Sequence, residues 1–440
     1  MIKCGMYENN ITPPIGMSIP GYFEDRISTG IKDELFAKAM VIESNGVRLA
    51  VIAVDAVDLG RDCVLQIRER VSRFTKVLME NIMVTATHTH TGGTVMEGVE
   101  SSIDKDYLAF LTKKSADAAI MAFNTMKPAR IGFGIGCAEG LAFNRRYFMK
   151  DGTVMTNPSP SDNNIVKAEG PVDTDFAVIR IDDLAGEPIG VVSNFACHLD
   201  VVGGTEISAD YPGELSRIIK KVLGEKTVSL FMTGASGNIN HLDLKNRDTY
   251  VNPEHYRKMG RVLAGEAIKT RERITGTDDI EVNVFSEILK VKLRRPSKAD
   301  IEWAEKVIAD SALNGEGKGY ANEVMKSTEA GFASEMLKLE KSDKTIADIE
   351  VQLVKIGELA IAAWPGEVFV EFGLELKERA PFKYVIIGEL SNGTVDNYIP
   401  TRQAFKNGGY EPRLSCYINL EAEGGNEILE STLRLMNKAI

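Results

Sequence analysis

Two of the chain's five histidines, His88 and His90, stand two residues apart behind an apolar run, and their side chains can bind metal or transfer protons. Side chains two positions apart share a face of an extended strand, so a strand running from residue 82 through His90 is predicted to present both imidazoles together. Gly92 and Gly93 follow and permit a turn. Zinc requires three or four ligands, so the pair needs partners from elsewhere, and a pair of surface histidines is the alternative.

Three predicted β-hairpins each end in a polar side chain that could join these histidines. Each hairpin consists of two apolar runs around a glycine-containing turn, a strong signal for paired antiparallel strands. The hairpins cover residues 37–55, 176–198 and 349–367, and their last residues are Asp55, His198 and Glu367. The sequence therefore predicts that strands deliver candidate ligands from three distant parts of the chain.

The elements between the hairpins define the expected architecture. Apolar residues at helical spacing, as in residues 106–121, predict helices between the strands. We therefore expect an α/β fold of the α+β type, with mixed β-sheets built from hairpins and flanked by helices, forming one large catalytic domain over residues 1–440. The charged segment 297–345, with a glycine-rich break at 315–319, predicts a helical insertion that faces solvent and carries no chemistry.

Composition narrows the classes of partner. The 440 residues are 44% hydrophobic and carry a formal charge of −11 without a basic run, which disfavours nucleic acid. No apolar run approaches the roughly 18 residues of a membrane span. The N-terminus lacks an apolar signal core, and five scattered cysteines fit reduced thiols, so we expect a cytoplasmic protein. The expected partner is a small-molecule substrate, and a homo-oligomer is left open.

Six short motifs, taken in chain order, carry a resemblance to a known family. They lie at residues 87–92, 144–145, 195–198, 364–367, 398–401 and 409–411. Together they resemble the catalytic domain of the neutral/alkaline ceramidase family from about Ile11 to about Glu411. That family consists of zinc amidases with an α/β catalytic domain. The resemblance implies that His88, His198, Glu367 and Tyr398 hold the metal.

The resemblance also implies that His90, Arg145 and Tyr410 contact the substrate and the transition state. Their chemistry suits these roles, since an imidazole can carry a proton to a leaving group, and a guanidinium or phenol can stabilise an oxyanion. The alternatives are a hydrogen bond from His90 to a metal ligand, a surface cation beside Arg146, and a packed aromatic ring. Zinc is the expected metal, although iron and manganese suit the same ligands.

The chain departs from the family pattern at the nucleophile. The family's serine falls on Asn240, which leaves no side-chain nucleophile at that position. Asn240 is expected either to donate a hydrogen bond to a developing oxyanion or to hold its glycine-rich turn. The chain also ends about thirty residues after the last motif, so no C-terminal Ig-like β-domain is expected. These departures are typical of a short intracellular relative with a different substrate.

Several other titratable residues have open roles. Asp55, Asp200 and Asp210 are candidates to orient the histidines, and Asp210 is equally a candidate helix cap. His241 has no predicted role, and His255 is predicted to lie on the surface because its surroundings are charged and helical.

The expected function is a metal-dependent hydrolase of an amide, ester or lactone in a small soluble substrate. Zinc lowers the pKa of bound water to about 7, so metal-activated water can attack without a serine. One alternative is a metal-dependent lyase or isomerase that acts on a carbonyl compound, and another is a non-catalytic metal-holding protein. Retention of Arg145, Tyr398 and Tyr410 argues against the second alternative. Long-chain ceramide is not the expected physiological substrate.

Overall fold

The computed structural model describes residues 1–23, 25–96, 102–313, 320–395 and 397–440. Its largest element is an eight-stranded mixed sheet. In spatial order the strands are β16 (Val228–Thr233), β14 (Pro188–Phe195), β13 (Asp175–Asp183), β8 (Lys127–Cys137), β1 (Lys3–Asn10), β5 (Phe36–Ser44), β6 (Val47–Val54) and β7 (Ile82–Ala86).

A second sheet stacks on the first. Its strands are, in order, β18 (Val282–Lys292), β19 (Ile346–Ile356), β20 (Leu359–Ala363) and β22 (Tyr384–Gly388). The short strands are β2 (Ser18–Ile19), β3 (Arg26–Ile27), β4 (Gly30–Ile31), β9 (Phe143–Asn144), β10 (Arg146–Met149), β11 (Val154–Thr156), β12 (Ile165–Ala168), β15 (Glu206–Ile207), β17 (Ile239–Asn240), β21 (Glu367–Val368) and β23 (Tyr398–Ile399).

Helices cover the outer faces of both sheets. The helices are α1 (Arg61–Thr75), α2 (Lys105–Asn124), α3 (Asp210–Leu223), α4 (Asp248–Val251), α5 (His255–Arg273), α6 (Lys298–Leu313), α7 (Tyr320–Glu340), α8 (Val370–Arg379), α9 (Arg402–Asn407) and α10 (Gly424–Ala439). α1 and α2 pack on the part of the main sheet that contains β1, β5 and β6, α3 packs against β16, α5 packs against β8 and β13, and α8 and α10 pack on the second sheet. The expected α/β fold with mixed sheets and flanking helices is confirmed.

Strand β6 shows why the two sheets stack between helices. Its side chains alternate, so Leu49, Val51 and Ala53 join the cluster shared with the second sheet, while Ala50 and Ile52 join the cluster beneath α1 and α2. Both faces of the strand are therefore apolar and buried, which is the pattern of a strand covered on both sides. Each fully buried aliphatic side chain contributes about 1.5–3 kcal/mol by leaving water.

The three predicted hairpins are confirmed as the antiparallel pairs β5–β6, β13–β14 and β19–β20. The second strand of each hairpin then pairs in parallel with a later strand, giving β6–β7, β14–β16 and β20–β22. Neighbouring parallel strands have their carboxyl ends on the same side, so the residues that follow them lie together.

Backbone hydrogen bonds join these strand ends to one another. The Gly234 N–H donates to the carbonyl of Phe195 at 2.9 Å, and the Glu389 N–H donates to the carbonyl of Thr233 at 3.1 Å. The Thr233 hydroxyl donates to the carbonyl of Thr87 at 2.6 Å. The ends of four strands from two sheets thus meet at one place.

Helices α6 and α7 lie in the predicted insertion, and the predicted glycine-rich break at 315–319 lies outside the described residues. The expectation that this segment faces solvent without approaching chemistry is wrong for α7. Phe332 is 2% exposed and Glu335 is 1% exposed, because one face of α7 packs against the loop around Tyr410 and Tyr417. Among the described residues, no helix combines the length and apolarity that crossing a bilayer requires.

Candidate metal centre and active site

The backbone leaves the extended conformation before it reaches the two clustered histidines. β7 ends at Ala86, so the prediction of a strand that continues to His90 is wrong. His88 has a φ of 76°, a left-handed conformation that is uncommon and strained for a side chain with a Cβ. Its N–H donates to the carbonyl of Ala56 at 2.9 Å, which holds the turn. The two imidazoles still meet, with Nε2 atoms 3.2 Å apart.

His198 and Glu367 follow the second and third hairpins and complete a buried cluster with His88. The Nε2 atoms of His88 and His198 are 3.0 Å apart. Glu367 Oε2 lies 3.4 Å from Nε2 of His88 and 3.2 Å from Nε2 of His198. All three side chains are at most 5% exposed. The structure thus brings three of the four predicted metal ligands into one buried cluster.

Hydrogen bonds to backbone carbonyls orient both imidazoles. Nδ1 of His88 lies 2.7 Å from the carbonyl oxygen of Val57, and Nδ1 of His198 lies 3.2 Å from that of Ser236. A carbonyl oxygen only accepts, so each Nδ1 carries a proton, and in the neutral imidazole that binds a metal each Nε2 keeps its lone pair. A carbonyl partner on the far ring nitrogen is typical of metal-binding histidines, because it fixes the tautomer and the ring orientation.

The separations of these atoms fit a divalent cation. With bonds of about 2.0–2.2 Å, tetrahedral zinc holds its ligand atoms about 3.4 Å apart, close to the observed separations. The carboxylate oxygen of Glu367 that faces both histidines has no other hydrogen-bond partner among the described residues. A cation among the three atoms would pair with this buried oxygen. His90 belongs to the same cluster, since one nitrogen from each of His88, His90 and His198 fits within 4.8 Å.

The electrostatics of the cluster are strongly coupled. Burial disfavours the charged form of His88, but Glu367 outweighs it and raises the pKa of His88 to about 9. Burial and the Arg145 guanidinium lower the pKa of His198 to about 4. Burial opposes ionisation of Glu367, yet the neighbouring His88 and His198 hold its pKa well below its usual range. The cluster therefore favours an ionised carboxylate beside one cationic partner.

Tyr398 reaches the site through a short parallel bridge. β21 pairs with β23, which sets Glu367 opposite Tyr398. Tyr398 is 7% exposed, and the Arg145 guanidinium carbon lies 5.1 Å from the centre of its ring. Burial raises the pKa of the Tyr398 phenol well above its usual value. Its role as a fourth ligand stays a prediction.

Arg145 is held rigidly beside the histidines. Its Nε donates to Glu411 at 3.0 Å and its Nη2 donates to the carbonyl of Gly237 at 2.7 Å. The remaining Nη1 lies 3.3 Å from Nε2 of His198. The alternative of a surface cation beside Arg146 is wrong, since Arg145 is 6% exposed and Arg146 is fully buried.

Tyr410 lies in the wall of the candidate pocket. The pocket holds about 820 Å³ of unfilled space, its mouth included, and is lined by Tyr22, His88, His90, Glu367, Tyr398 and Tyr410 among others. The ring of Tyr410 meets Tyr398 edge-on, with centroids 5.7 Å apart. The contact of Tyr410 with Tyr398 fits both of its expected roles, as a donor to the oxyanion and as a packed aromatic ring. The role of Tyr410 therefore stays a prediction.

Asn240 has its side chain engaged within its own loop. Its amide nitrogen donates to Asn157 at 2.6 Å, and its amide oxygen accepts from the Leu242 N–H at 3.0 Å. This geometry favours the second of the two expected roles, in which Asn240 holds the turn. Nearby Ser236 is fully buried and its hydroxyl donates to Glu389 at 2.5 Å.

The three aspartates differ in their partners. Asp55 accepts hydrogen bonds from the Phe36 N–H at 2.8 Å and the Thr87 hydroxyl at 3.2 Å. Asp200 is the one with an oxygen near a site histidine, at 3.9 Å from His90 Nδ1. Asp210 accepts from the N–H groups of Val201, Val202 and Tyr211 at the start of α3. Asp55 and Asp210 thus accept hydrogen bonds from backbone N–H groups and stabilise the local backbone instead of orienting a histidine.

The prediction that His255 lies on the surface is wrong. His255 is 4% exposed and its ring centroid lies 5.6 Å from that of His241, which is also buried. It begins α5 and packs against His241, a contact that the charged residues around it in the sequence do not indicate.

Two carboxylates near the site, Glu389 and Asp58, were not predicted from the sequence. Glu389 follows β22 directly, so an apolar strand ending in an acid was the available signal. It is fully buried and accepts from the Ser236 N–H at 3.0 Å, and burial raises its pKa to about 8. Asp58 lines the pocket, and one of its oxygens has no hydrogen-bond partner among the described residues. Asp58 gave no comparable signal.

Fold and site together define a class, namely an α/β protein with a buried histidine and carboxylate cluster fit for a divalent cation at its strand ends. A comparison with family models narrows this class. The model described as neutral/alkaline non-lysosomal ceramidase, N-terminal, matches residues 3–234. The chain therefore belongs to the neutral/alkaline non-lysosomal ceramidase family.

Curated relatives include two proteins of Dictyostelium discoideum. Neutral ceramidase A is 25% identical over 238 residues, which is 50% of this chain and 32% of the relative. Neutral ceramidase B is 25% identical over 208 residues, 44% of this chain and 28% of the relative. The matched part is thus about a third of the length of these relatives.

Solved structures share the fold over nearly the whole chain. The neutral ceramidase of Pseudomonas aeruginosa superposes with a TM-score of 0.73 at 19% identity, covering 99% of this chain and 75% of that one. A ceramidase complexed with C2 gives a TM-score of 0.71 at 16% identity, covering 98% and 74%. The fold match extends far beyond residue 234, so it includes the segments that carry Glu367 and Tyr398.

Proposed function

We propose that the protein is a metal-dependent hydrolase that cleaves an amide bond in a small substrate. The observation that carries the proposal is the convergence of His88, His198 and Glu367, whose facing atoms lie 3.0–3.4 Å apart in a buried pocket. Membership of a ceramidase family supports amide hydrolysis, because the relatives bear the name of enzymes that split an amide.

The proposed metal is zinc, held by His88, His198, Glu367 and Tyr398. Bound there, it would act as a Lewis acid and lower the pKa of a water molecule toward neutrality. His90 is the competing fourth ligand, since its Nε2 lies 3.2 Å from Nε2 of His88. We assign Tyr398 to the metal and His90 to proton transfer, because Tyr398 stands opposite Glu367 in the β21–β23 bridge.

The reaction needs a proton carrier and a charge stabiliser besides the metal. The oxygen of water bonds to the acyl carbon, the C–N bond breaks, and a proton must reach the leaving nitrogen. His90 lines the pocket and its Nδ1 has no hydrogen-bond partner among the described residues, so it is placed to carry this proton. Arg145, fixed by Glu411 and Gly237, would stabilise the developing oxyanion, with the Tyr410 hydroxyl as a second donor.

No serine is proposed as nucleophile. Asn240 stands where the family has its serine, and the Ser236 hydroxyl is fully buried and bonded to Glu389. Water is therefore the proposed attacking group, and no acyl-enzyme forms. A serine-directed phosphonate should leave activity unchanged, whereas stoichiometric labelling of Ser236 with loss of activity would contradict the direct attack of water.

Hydrolysis in oxygen-18 water tests the proposed reaction. Short N-alkyl amides, incubated with the metal-loaded protein, should give an acid that carries one solvent oxygen. A lyase or isomerase would yield products without that oxygen, and this outcome would overturn the assignment. A protein in which His198 is replaced by alanine serves as the inactive control, since His198 is a proposed ligand.

A further inference from the structure

The helix α7 supplies part of the wall of the candidate pocket, which the proposed metal ligands also line. Phe332 and Glu335, one helical turn apart, both line the pocket and are 2% and 1% exposed. Residues three apart on a helix share a face, so one face of α7 presents an aromatic ring and a carboxylate together. Neither residue belongs to the proposed catalytic machinery.

Phe332 closes the pocket with an aromatic wall. Its ring lies 5.4 Å from that of Phe23 and 5.6 Å from that of Tyr410, in tilted and edge-on contacts. Tyr410 in turn meets Tyr398. Ring contacts thus connect the proposed ligand Tyr398 through Tyr410 to Phe332 on α7. A wall of this kind limits the length of a bound molecule.

Arg413 holds α7 in this position. Its guanidinium lies 4.4 Å from the centre of the Phe332 ring and pairs with both oxygens of Glu329, at 2.5 and 2.6 Å. A two-pronged pair of this kind fixes geometry as well as distance. A second tie is the hydrogen bond from the Cys416 thiol to Glu335. The wall is therefore a fixed part of the pocket.

Glu335 places a carboxylate in this wall. Its other oxygen pairs with the Lys338 ammonium at 2.7 Å, and because each carboxylate oxygen can accept more than one hydrogen bond, Glu335 can still accept from a ligand. Asp58 adds a second carboxylate to the lining, and none of the described lining residues is a lysine or an arginine. Carboxylates among tyrosine and phenylalanine rings are the surroundings that bind organic ammonium groups.

We propose that α7 selects a compact substrate that carries a cationic amine, with Phe332 limiting its length and Glu335 receiving its ammonium group. The inference rests on the proposed amide hydrolase and names the chemical class of its substrate. Phe332 and Glu335 act as specificity-determining residues, and the selected substrate is a short amino-amide.

Binding of two matched probes tests the charge preference. N-(4-aminobutyl)acetamide and N-pentylacetamide have the same shape and differ in their terminal ammonium or methyl group. Calorimetry with the metal-loaded wild-type protein should show at least about tenfold tighter binding of the cationic probe. Glu335→Gln should bring the ratio of the two affinities close to one, and Glu335→Asp should keep part of the preference. Glu340→Gln, an exposed change on the same helix, should keep the full ratio.

The outcomes separate this inference from the proposed function. The inference is overturned if the wild type binds the two probes equally or binds neither. An unchanged affinity ratio in Glu335→Gln overturns it as well. Selective binding without hydrolysis of either probe supports the inference and counts against the hydrolase alone.

A second pair of probes tests the limit on substrate length. Phe332→Ala should open the wall and raise the affinity ratio of N-pentyldecanamide to N-pentylacetamide at least about fivefold. The exposed control Phe74→Ala should not change this ratio, and the same ratio in Phe332→Ala would contradict the role of the ring.

Discussion

The two proposed histidine ligands owe their chemistry to backbone carbonyls. Val57 and Ser236 accept from the Nδ1 atoms of His88 and His198, so the Nε2 atoms of both imidazoles face Glu367. The strained left-handed backbone at His88 belongs to the same arrangement, because it turns the chain just after β7 ends, where the imidazole joins the cluster. Local strain at this residue is thus coupled to the geometry of the proposed metal centre.

Asn240 and Asn157 provide the first prediction. The two side chains share one hydrogen bond of 2.6 Å, and Asn240 also accepts one from the Leu242 N–H, so Asn157→Ala should lower the free energy of unfolding by about 1 kcal/mol and Asn240→Ala by about 2 kcal/mol. Thermal unfolding and steady-state kinetics would measure stability and turnover. If Asn240 holds its turn, both variants should lose similar activity. A roughly hundredfold loss in Asn240→Ala alone, with metal retained, would instead show a direct oxyanion role.

The sequence could predict those site residues that a local pattern marks. His88, His198 and Glu367 each follow an apolar run, and short motifs single them out. Their convergence now supports the predicted ligand set, while the roles of Tyr398 and Tyr410 stay predictions. The φ of His88 was not predictable, since it depends on the hydrogen bond to Ala56, which follows β6 more than thirty residues earlier in the chain.

At the scale of elements, the loop after β16 packs directly against the turn that carries Glu367. The Gly237 N–H donates to the carbonyl of Val368 at 2.9 Å. A Cβ on Gly237 would lie 2.3 Å from the carbonyl oxygen of Glu367, a contact that the backbone cannot accept without moving. The close approach of these two segments therefore requires glycine.

Gly237→Ala should consequently displace Glu367 and weaken metal binding by about 10- to 100-fold, the range typical of changes that misplace a ligand. Competition with a chelator would measure the affinity. Gly265→Ala is the matched control, because its new Cβ on α5 meets no atom within 4 Å. Equal affinities in the two variants would show that the loop does not position the ligand.

The sequence predicted the existence of elements that have strong local signals. It did not predict which face of an element is buried. The turns at Asn45-Gly46 and Gly357 gave the hairpins β5–β6 and β19–β20. By contrast, charged residues along 297–345 indicated a solvated helical pair, although Phe332 and Glu335 of α7 are buried in the pocket. Which side of a helix is covered depends on contacts with distant residues such as Arg413, which local periodicity does not contain.

At the scale of the whole molecule, two sheets from opposite halves of the chain enclose a common apolar layer, and the site lies where their strand ends meet. Asp55 illustrates the limit of sequence reasoning here. It ends a hairpin just as His198 and Glu367 do, but its oxygens hold Phe36 and Thr87. Only the stacking of the sheets decides which strand ends face each other.

Asp210 gives a prediction for the stability of the whole chain. Burial raises its pKa from about 3.8 to about 7, so the folded protein binds its proton more tightly than the unfolded chain. The associated stability is present below pH 4 and is lost as the pH rises to about 7, a decline of about 4 kcal/mol. Denaturant unfolding of Asp210→Asn across this range should lack that decline. The exposed control Asp106→Asn should keep it, and an unchanged pH slope in Asp210→Asn would contradict the assignment.

The metal content of the purified protein shows whether His198 and Glu367 hold a metal ion. Elemental analysis of the purified wild-type chain should find about one zinc, iron or manganese ion per molecule, as expected for one closed ligand cluster. His198→Ala and Glu367→Gln should lose nearly all of it, while His241→Ala, a buried histidine outside the cluster, should keep it. Full metal content in folded His198→Ala and Glu367→Gln proteins would contradict the account.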